Sequence, residues 1–370
     1  MSAERTISSL RRRGRAAPGG GRLTTSAATL SVLAVLIGTS VSATVPAAAG
    51  VAPAAAAPGT LFVANSGGSG STGLAATGSV TSYSLGARGN ARPKSVLSEQ
   101  VNGPDGVAFD SSGDLWVASS NGNKLLEFKR AGLAARSPVP AVIISSDAAG
   151  DLNGPSGMAF TSSGKLWVAN SSTATVVEYT KAQLAKSGSP APAVIISSTN
   201  FQYPYGLAFG PSGDLWVADG GQDLAFEFTP AQLARSGAPA PVRLIVDPAP
   251  TAEFQGDGVA FDAAGNMWVT IGGNNTLVEY TKAGLARSSP VPAVTISAGA
   301  SGSLNAPNDL VFDPSGDLWV ANEGNGTVIE LTRPELAKSG APVPARVLAG
   351  AATGLNSPRY LAIQPGGSAR

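Results

Sequence analysis

The chain has 370 residues, of which 43% are hydrophobic, with 46 Gly, 27 Pro, no Cys and no His. The absence of His excludes Ser-His triads, His-ligated zinc or copper and His acid–base pairs, and without Cys the fold must be held by its core rather than by disulfides. A net charge of +1 and a charged fraction of 13% do not provide the basic surface that nucleic-acid binding requires.

The N-terminal region has the layout of a secretory signal peptide. Arginines are concentrated in 11–15, an apolar run covers 30–37, and small residues fill much of 47–57. The apolar run is short for a membrane span, so we favour cleavage over a retained anchor, and general secretion over twin-arginine export. We predict that residues 1–57 form a cleaved leader and that 58–370 form one secreted domain. The leader holds six Arg and one Glu, so the mature part would have 19 basic and 23 acidic residues.

A motif of the type Gly-Val-Ala-Phe-Asp-x-Ser-Gly-Asp-Leu-Trp-Val-Ala-Asn recurs along the chain. The sequence gaps between its successive tryptophans are 51, 49, 52 and 51 residues, and these tryptophans are Trp116, Trp167, Trp216, Trp268 and Trp319. A sixth copy, without tryptophan, begins at 61–65. A fixed period of this length is typical of repeat architectures.

One unit, residues 155–198, shows the internal pattern of the repeat. Four short segments rich in Val, Ile, Leu and aromatic residues are separated by turn signals, which predicts four strands and therefore a propeller blade. Between the third and fourth segments lies 180–188, where Ala, Leu, Gln and Lys favour a short helical turn and Ser-Gly-x-Pro ends it. We expect Leu184 of this turn to pack against the sheet.

The two ends of the repeat region complement each other. First strands begin at six places, near Pro104, Pro155, Pro204, Gly256, Pro307 and Pro358. The N-terminal copy lacks a first strand, whereas the C-terminal copy at 360–363 has only that strand. We therefore predict an all-β, six-bladed propeller with four antiparallel strands per blade, closed by pairing of the C-terminal strand with the N-terminal blade, which removes exposed sheet edges.

The loops that lead into first strands and out of second strands are expected to meet at one mouth of the channel. The second strands end in mostly polar residues, which either line a ligand pocket or cap turns: Asn65, Ser119, Asn170, Asp219, Ile271 and Asn322. Three aromatic residues near the same mouth, Phe201, Tyr205 and Phe254, either stack on a ring or sugar face or are buried under the loops. Arg359 could hold an anionic ligand through its guanidinium.

Two segments carry a family resemblance. Residues 103–118, with Gly-Pro-Asp-Gly-Val-Ala-Phe-Asp and Gly-Asp-Leu-Trp-Val-Ala, and residues 257–269 resemble the repeats of NHL-type and SMP-30/gluconolactonase/LRE-like propellers. The resemblance covers about residues 60–365. It is specific for the propeller class, whose members include both binding modules and enzymes.

The lactonase resemblance implies a divalent cation, such as calcium or zinc, held by oxygen ligands at the starts of first strands. The matching positions are Asp105, Ser156, Tyr205, Asp257, Asn308 and Arg359. Asp105, Asp257 and Asn308 are the candidate metal ligands, and Asp257 is the candidate catalytic residue. Arg359 stands where the family carries Glu, and a cation is unfavourable inside a metal cluster.

Three functions remain open on the sequence. The first is a secreted, monomeric scaffold that binds a small molecule, protein or glycan at the channel mouth without chemistry. The second is a divalent-metal-dependent hydrolase of lactone type. The third is a lyase or isomerase that acts through pocket polarity alone.

Overall fold

The computed structural model describes residues 59–67, 78–135, 137–221, 224–246, 258–287 and 289–365. The predicted leader lies outside these ranges. No helix among the described residues is long and apolar enough to cross a membrane.

Within the described residues, 24 strands form six antiparallel sheets of four strands each. We number the blades in chain order and call their strands inner, second, third and outer. Blade 1 comprises Pro104–Phe109, Leu115–Ser119, Lys124–Phe128 and Val142–Ser145, and blade 2 comprises Pro155–Phe160, Leu166–Asn170, Thr175–Tyr179 and Val194–Ser197. Blade 3 comprises Pro204–Phe209, Leu215–Asp219, Leu224–Phe228 and Arg243–Val246, and blade 4 comprises Val259–Phe261, Met267–Ile271, Thr276–Tyr280 and Val294–Ser297. Blade 5 comprises Pro307–Phe312, Leu318–Asn322, Thr327–Leu331 and Arg346–Leu348, and blade 6 comprises Pro358–Gln364, Thr60–Asn65, Ser79–Ser84 and Ser95–Leu97.

Helical segments in the described ranges are all short. The α-helical turns are Lys282–Leu285 and Arg333–Leu336, and the 3-10 turns are Ser120–Gly122, Arg130–Gly132, Gln183–Ala185, Gln232–Ala234, Gly299–Ser301 and Ala351–Thr353. The predicted packing of the helical turns is confirmed, since Leu184 is 5% exposed and its counterparts in the other blades are also buried.

The core consists of layers between neighbouring blades. Trp116 of blade 1 belongs to the same buried cluster as Leu166 and Val168 of blade 2, and its ring meets Phe160 at 6.2 Å and 62°. Each second strand is covered on both faces by adjacent sheets, which is why Leu166–Asn170 is buried at all five positions. The repeated tryptophans therefore mark the contact between neighbouring blades.

The ring closes by the predicted exchange of strands. The C-terminal strand pairs antiparallel with the first described strand of the chain, with Leu61 opposite Ile363 and Val63 opposite Leu361. This pairing makes the inner strand of blade 6 from the end of the sequence. The closure prediction is confirmed.

The connection between third and outer strands also fastens the blade to its predecessor. The Ser187 hydroxyl accepts a hydrogen bond from Ile143 N at 3.0 Å, and Gly188 N donates to Ile143 O at 3.0 Å. Ser236 and Ser339 make the equivalent 3.0 Å contact with Ile195 and Thr295. The Ser-Gly pair, predicted only to end a helical turn, thus seals the outer sheet edge of the preceding blade.

The six inner strands contact one another around the channel. Their third residue is glycine in blades 1 to 3, and in blade 4 the equivalent Gly258 directly precedes the strand. Glycine is needed because the strands approach closely: a Cβ on Gly106 would lie 2.0 Å from Ser156 O, and one on Gly157 would lie 2.0 Å from Tyr205 O. Blades 5 and 6 carry Asp309 and Tyr360 in this position. Blades 5 and 6 therefore differ from the other four blades at the position where neighbouring inner strands approach each other.

Candidate functional site at the channel mouth

The starts of the inner strands lie beside the ends of the second strands. Pro104 is paired with Ser119, Pro155 with Asn170, and Pro307 with Asn322. The two sets of candidate residues named from the sequence therefore meet at one mouth of the channel, as predicted.

A charged network joins blades 5, 6 and 1 at this mouth. Arg359 donates from Nε to Glu323 Oε1 at 3.0 Å, and its Nη1 lies 3.4 Å from Asp105 Oδ1. Asn308 Nδ2 donates to Glu323 Oε2 at 3.2 Å. Glu323 thus binds Arg359 with one oxygen and Asn308 with the other, and Arg359 connects it to Asp105.

The network is partly accessible. Asp105 is buried, whereas the Arg359 side chain is 33% exposed and that of Glu323 is 21% exposed. Burial raises the pKa of Asp105 above its ordinary value, and the adjacent Arg359 guanidinium opposes that rise. Two carboxylates face one guanidinium, so the network is not an open positive site.

Glu323 was missed by the sequence analysis. It follows the second strand of blade 5, where the other five blades carry small residues: Ser66, Ser120, Ser171, Gly220 and Gly272. Comparing this column across the repeat would have revealed it, because a single charge stands there among five small residues.

Asp309 was also missed. It replaces the inner-strand glycine, is 8% exposed, and its Oδ2 accepts a hydrogen bond from Leu361 N at 2.9 Å. Burial raises the pKa of Asp309 to about 7; the backbone N–H groups of Leu361 and Leu310 oppose this rise, and the nearby Asp105 adds to it. A carboxyl that can gain or lose a proton near neutral pH therefore lies beneath the network.

The polar residues at the ends of second strands hold the loops that lead into the inner strands. Asn170 Oδ1 accepts from Asn153 N at 3.2 Å, and Asn322 Oδ1 accepts from Asn305 N at 3.1 Å. The Asp219 carboxylate accepts hydrogen bonds from Gln202 N at 2.8 Å, from Tyr203 N at 3.2 Å and from Gly221 N at 3.0 Å. Asn170, Asp219 and Asn322 are each 0% exposed, so these binding candidates have a structural task here and stand apart from the charged network.

The aromatic candidates separate into two groups. Phe201 is buried and meets Phe226 and Phe228 edge-on at 5.7 and 5.6 Å, so it belongs to the core between blades 2 and 3. Tyr205 is half-buried and stacks on the exposed Tyr203 with ring centroids 6.5 Å apart and an interplanar angle of 20°. Phe254 and Asp257 lie outside the described residues.

The described residues do not fit the divalent cation that the lactonase resemblance implies. Of its two described candidate ligands, Asp105 faces the Arg359 guanidinium, whereas Asn308 donates to Glu323 through Nδ2, a bond that does not use the amide oxygen that a cation would need. A cation would have to displace or repel the guanidinium that lies between Asp105 and Glu323.

No protein-family model matches the sequence, and no curated protein matches it significantly. Solved structures do match. A periplasmic gluconolactonase of Pseudomonas aeruginosa, PpgL, superposes with a TM-score of 0.55 and 19% identity over 83% of this chain and 85% of that one. A chain of a nidogen/laminin complex gives a TM-score of 0.54 and 12% identity over 84% and 99%, and a streptogramin B lyase gives 0.50 and 12% over 75% and 85%.

At these identities the likeness concerns the fold alone. It supports the resemblance read from the repeats at the level of architecture: the chain is a six-bladed β-propeller of four-stranded antiparallel blades.

Proposed function

We propose that the protein is an extracellular or periplasmic propeller that binds a small, hydroxyl-rich ligand at the channel mouth without breaking bonds in it. The observation that carries the proposal is the Asp105–Arg359–Glu323 network. It offers fixed acceptors and donors side by side on a partly exposed surface.

The alternating charges of Asp105, Arg359 and Glu323 determine which kind of ligand the network suits. An anion would compete with Asp105 and Glu323 for Arg359, so the geometry does not favour the anion hypothesis. A neutral polyol suits the network better, because neighbouring hydroxyls can donate to a carboxylate and accept from a guanidinium. The stacked pair of Tyr203 and Tyr205 on blade 3 adds an aromatic surface for the apolar face of a sugar ring.

The proposed compartment rests on two independent supports. The N-terminal sequence has a signal-peptide layout, and PpgL, whose fold is similar, is described as periplasmic. The lack of cysteine in the chain is compatible with export, since a propeller of this size can be held by its core.

The test is calorimetric titration with a panel of monosaccharides, sugar acids and sugar lactones. The Glu323→Gln variant keeps the shape of the side chain but removes its charge, and Arg359→Lys removes the planar guanidinium. Loss of a hydrogen bond to a charged group predicts about 10- to 100-fold weaker binding for each variant. Arg92→Met, at an exposed arginine away from the network, is the control and should bind as the wild type does.

The alternative is a metal-dependent lactonase, which the fold likeness to PpgL keeps open. In that case a chelator lowers the melting temperature, added calcium or zinc restores it, and a sugar lactone is hydrolysed. We expect none of these effects. Chelator-sensitive lactone hydrolysis would replace the binding proposal, and equal ligand binding by the wild type and Glu323→Gln would remove the network from it.

A further inference from the structure

A glutamate recurs in the third strands, directly opposite the tryptophan of the second strand. The pairs are Trp116 with Glu127, Trp167 with Glu178, Trp216 with Glu227, Trp268 with Glu279, and Trp319 with Glu330. Each carboxylate therefore lies beside the layer between two blades, where an uncompensated charge is unfavourable.

Four of these glutamates are paired with a cation of the same chain. Lys129 Nζ lies 2.7 Å from Glu127, and Lys165 Nζ lies 3.0 Å from Glu178. Arg243 pairs with Glu227, and Arg346 pairs with Glu330. The cations come from three different positions of the repeat: just after the third strand, just before the second strand, and the start of the outer strand.

Glu279 of blade 4 is the exception. The three cation positions hold Thr281, Asn266 and Val294 there, and Val294 is directly opposite Glu279 where Arg243 and Arg346 are opposite their glutamates. No Lys or Arg among the described residues forms an ion pair with Glu279. Burial raises the pKa of Glu279, the nearby Asp262 raises it further, and the Asn266 amide opposes the rise.

Glu279 lines a groove between blades 4 and 5 with a volume of about 570 Å³. Asp262, Glu279 and Asp313 supply three carboxylates, and Arg333 on the blade 5 side is the one cation among the lining residues. The groove between blades 3 and 4 has a volume of about 430 Å³ and contains Arg243 and Lys282 beside Glu227. The groove at Glu279 is thus larger and more negative.

Trp268 places a buried hydrogen-bond donor at the groove. It lines the groove and is 2% exposed, and its Nε1 has no hydrogen-bond partner within the described ranges. In the preceding groove, a Cβ on Gly210 would lie 3.4 Å from both Trp216 Nε1 and Phe261 Cζ, so the indole nitrogen of Trp216 lies beside residues that line that groove. Trp116 and Trp319 share the missing partner, and a buried N–H without an acceptor is costly.

We propose that the groove between blades 4 and 5 binds a small organic cation, of the guanidinium or primary-amine type, that also carries a hydrogen-bond acceptor. Glu279 and Asp262 bind the cation, as Glu227 binds the Arg243 guanidinium one groove earlier. Trp268 donates to the acceptor, and Phe312, which meets the Trp268 ring at 6.3 Å, forms the apolar wall. The site is separate from the channel mouth and does not depend on the function proposed there.

Free arginine serves as the probe, because it has both a guanidinium and a carboxylate, and citrulline is its neutral counterpart. In calorimetric titration at low ionic strength, arginine should bind and citrulline should bind at least about tenfold more weakly. Glu279→Gln should weaken arginine binding at least about tenfold. Glu178→Gln, whose glutamate already has Lys165, is the matched control and should bind arginine as the wild type does.

Supplying the missing cation from within the chain is the sharper test. Val294→Arg copies the arrangement of blades 3 and 5, and Asn266→Lys copies that of blade 2, so either should abolish arginine binding and raise the melting temperature. Arginine should also change tryptophan fluorescence in the wild type but not in Trp268→Phe. The proposal is overturned if arginine does not bind the wild type, if citrulline binds equally well, or if Glu279→Gln or a folded cation-supplying variant retains full affinity.

Discussion

The replacement Asp309→Asn should change how stability depends on pH. Burial raises the pKa of the Asp309 carboxyl from 3.8 to about 7 in the folded protein. Between these values the folded protein keeps a proton that the unfolded chain has released. The free energy of unfolding of the wild type therefore falls as the pH rises through this interval. Asparagine keeps an oxygen that can accept from Leu361 N but has no proton to lose.

The size of the effect follows from the shift. A difference of about three pKa units corresponds to about 4 kcal/mol of stability lost by the wild type between about pH 4 and pH 8. Glu330, whose pKa burial also raises to about 7, adds a slope of the same sign, but it does so equally in both proteins. The difference between wild type and variant therefore isolates Asp309 together with its effect on Asp105.

Urea unfolding at half-unit steps from pH 4.5 to pH 8 measures this difference. We expect the variant to gain stability relative to the wild type as the pH rises, with most of the gain between pH 4.5 and pH 7 and little further change above pH 7.5. Parallel curves for the two proteins would refute the reasoning, because they would mean that Asp309 ionises in the folded state as readily as in the unfolded chain.

Three further predictions concern the scaffold. Trp216→Ala should lower the free energy of unfolding by about 3–5 kcal/mol, since Trp216 is 2% exposed; a loss under about 1 kcal/mol in chemical denaturation would show that this layer tolerates a cavity. Deleting residues 356–370 should lower the melting temperature by on the order of 10 °C or more, because it removes the inner strand of blade 6; an unchanged melting curve would contradict ring closure. Ser187→Ala should cost about 1 kcal/mol through loss of the acceptor for Ile143 N, with Ser111→Ala on an exposed turn as its control; equal stability of the two variants would argue against the Ser-Gly contact as a fastening of the blades.

The architecture was predictable because it repeats. Each tryptophan of the second strand is reinforced by the same turn and strand signals about fifty residues further on, so propensity and pattern agree in every blade. The end of the chain supplies the strand that the first copy lacks. The pairing of 360–363 with 61–65 could therefore be predicted from the sequence. The fastening by Ser187 was not inferable, because it joins neighbouring blades through backbone groups that have no sequence signature.

The sequence predicted where the candidate site lies but not which of its residues contact each other. The alignment of repeats put Asp105, Asn308 and Arg359 at one mouth, but it could not show that Arg359 pairs with Asp105, which is 254 residues away in sequence. Residues that matched the repeat, such as Asn170 and Asn322, drew attention although they hold loops. Glu323, which departs from the repeat, was overlooked.

Departures from the repeat are also where function is best sought in this molecule. A feature that all blades share is explained by packing, since every blade must meet its neighbours in the same way. Glu323 stands among small residues and Asp309 among glycines, whereas Glu279 keeps the glutamate of the repeat but lacks the cation that accompanies it in four other blades. Glu323 and Asp309 lie in blade 5, which adjoins Arg359 of blade 6, and Glu279 lies in blade 4. Replacing these three residues one at a time, with the matching position of another blade left unchanged as the control, separates a role in ligand binding from a role in holding the ring.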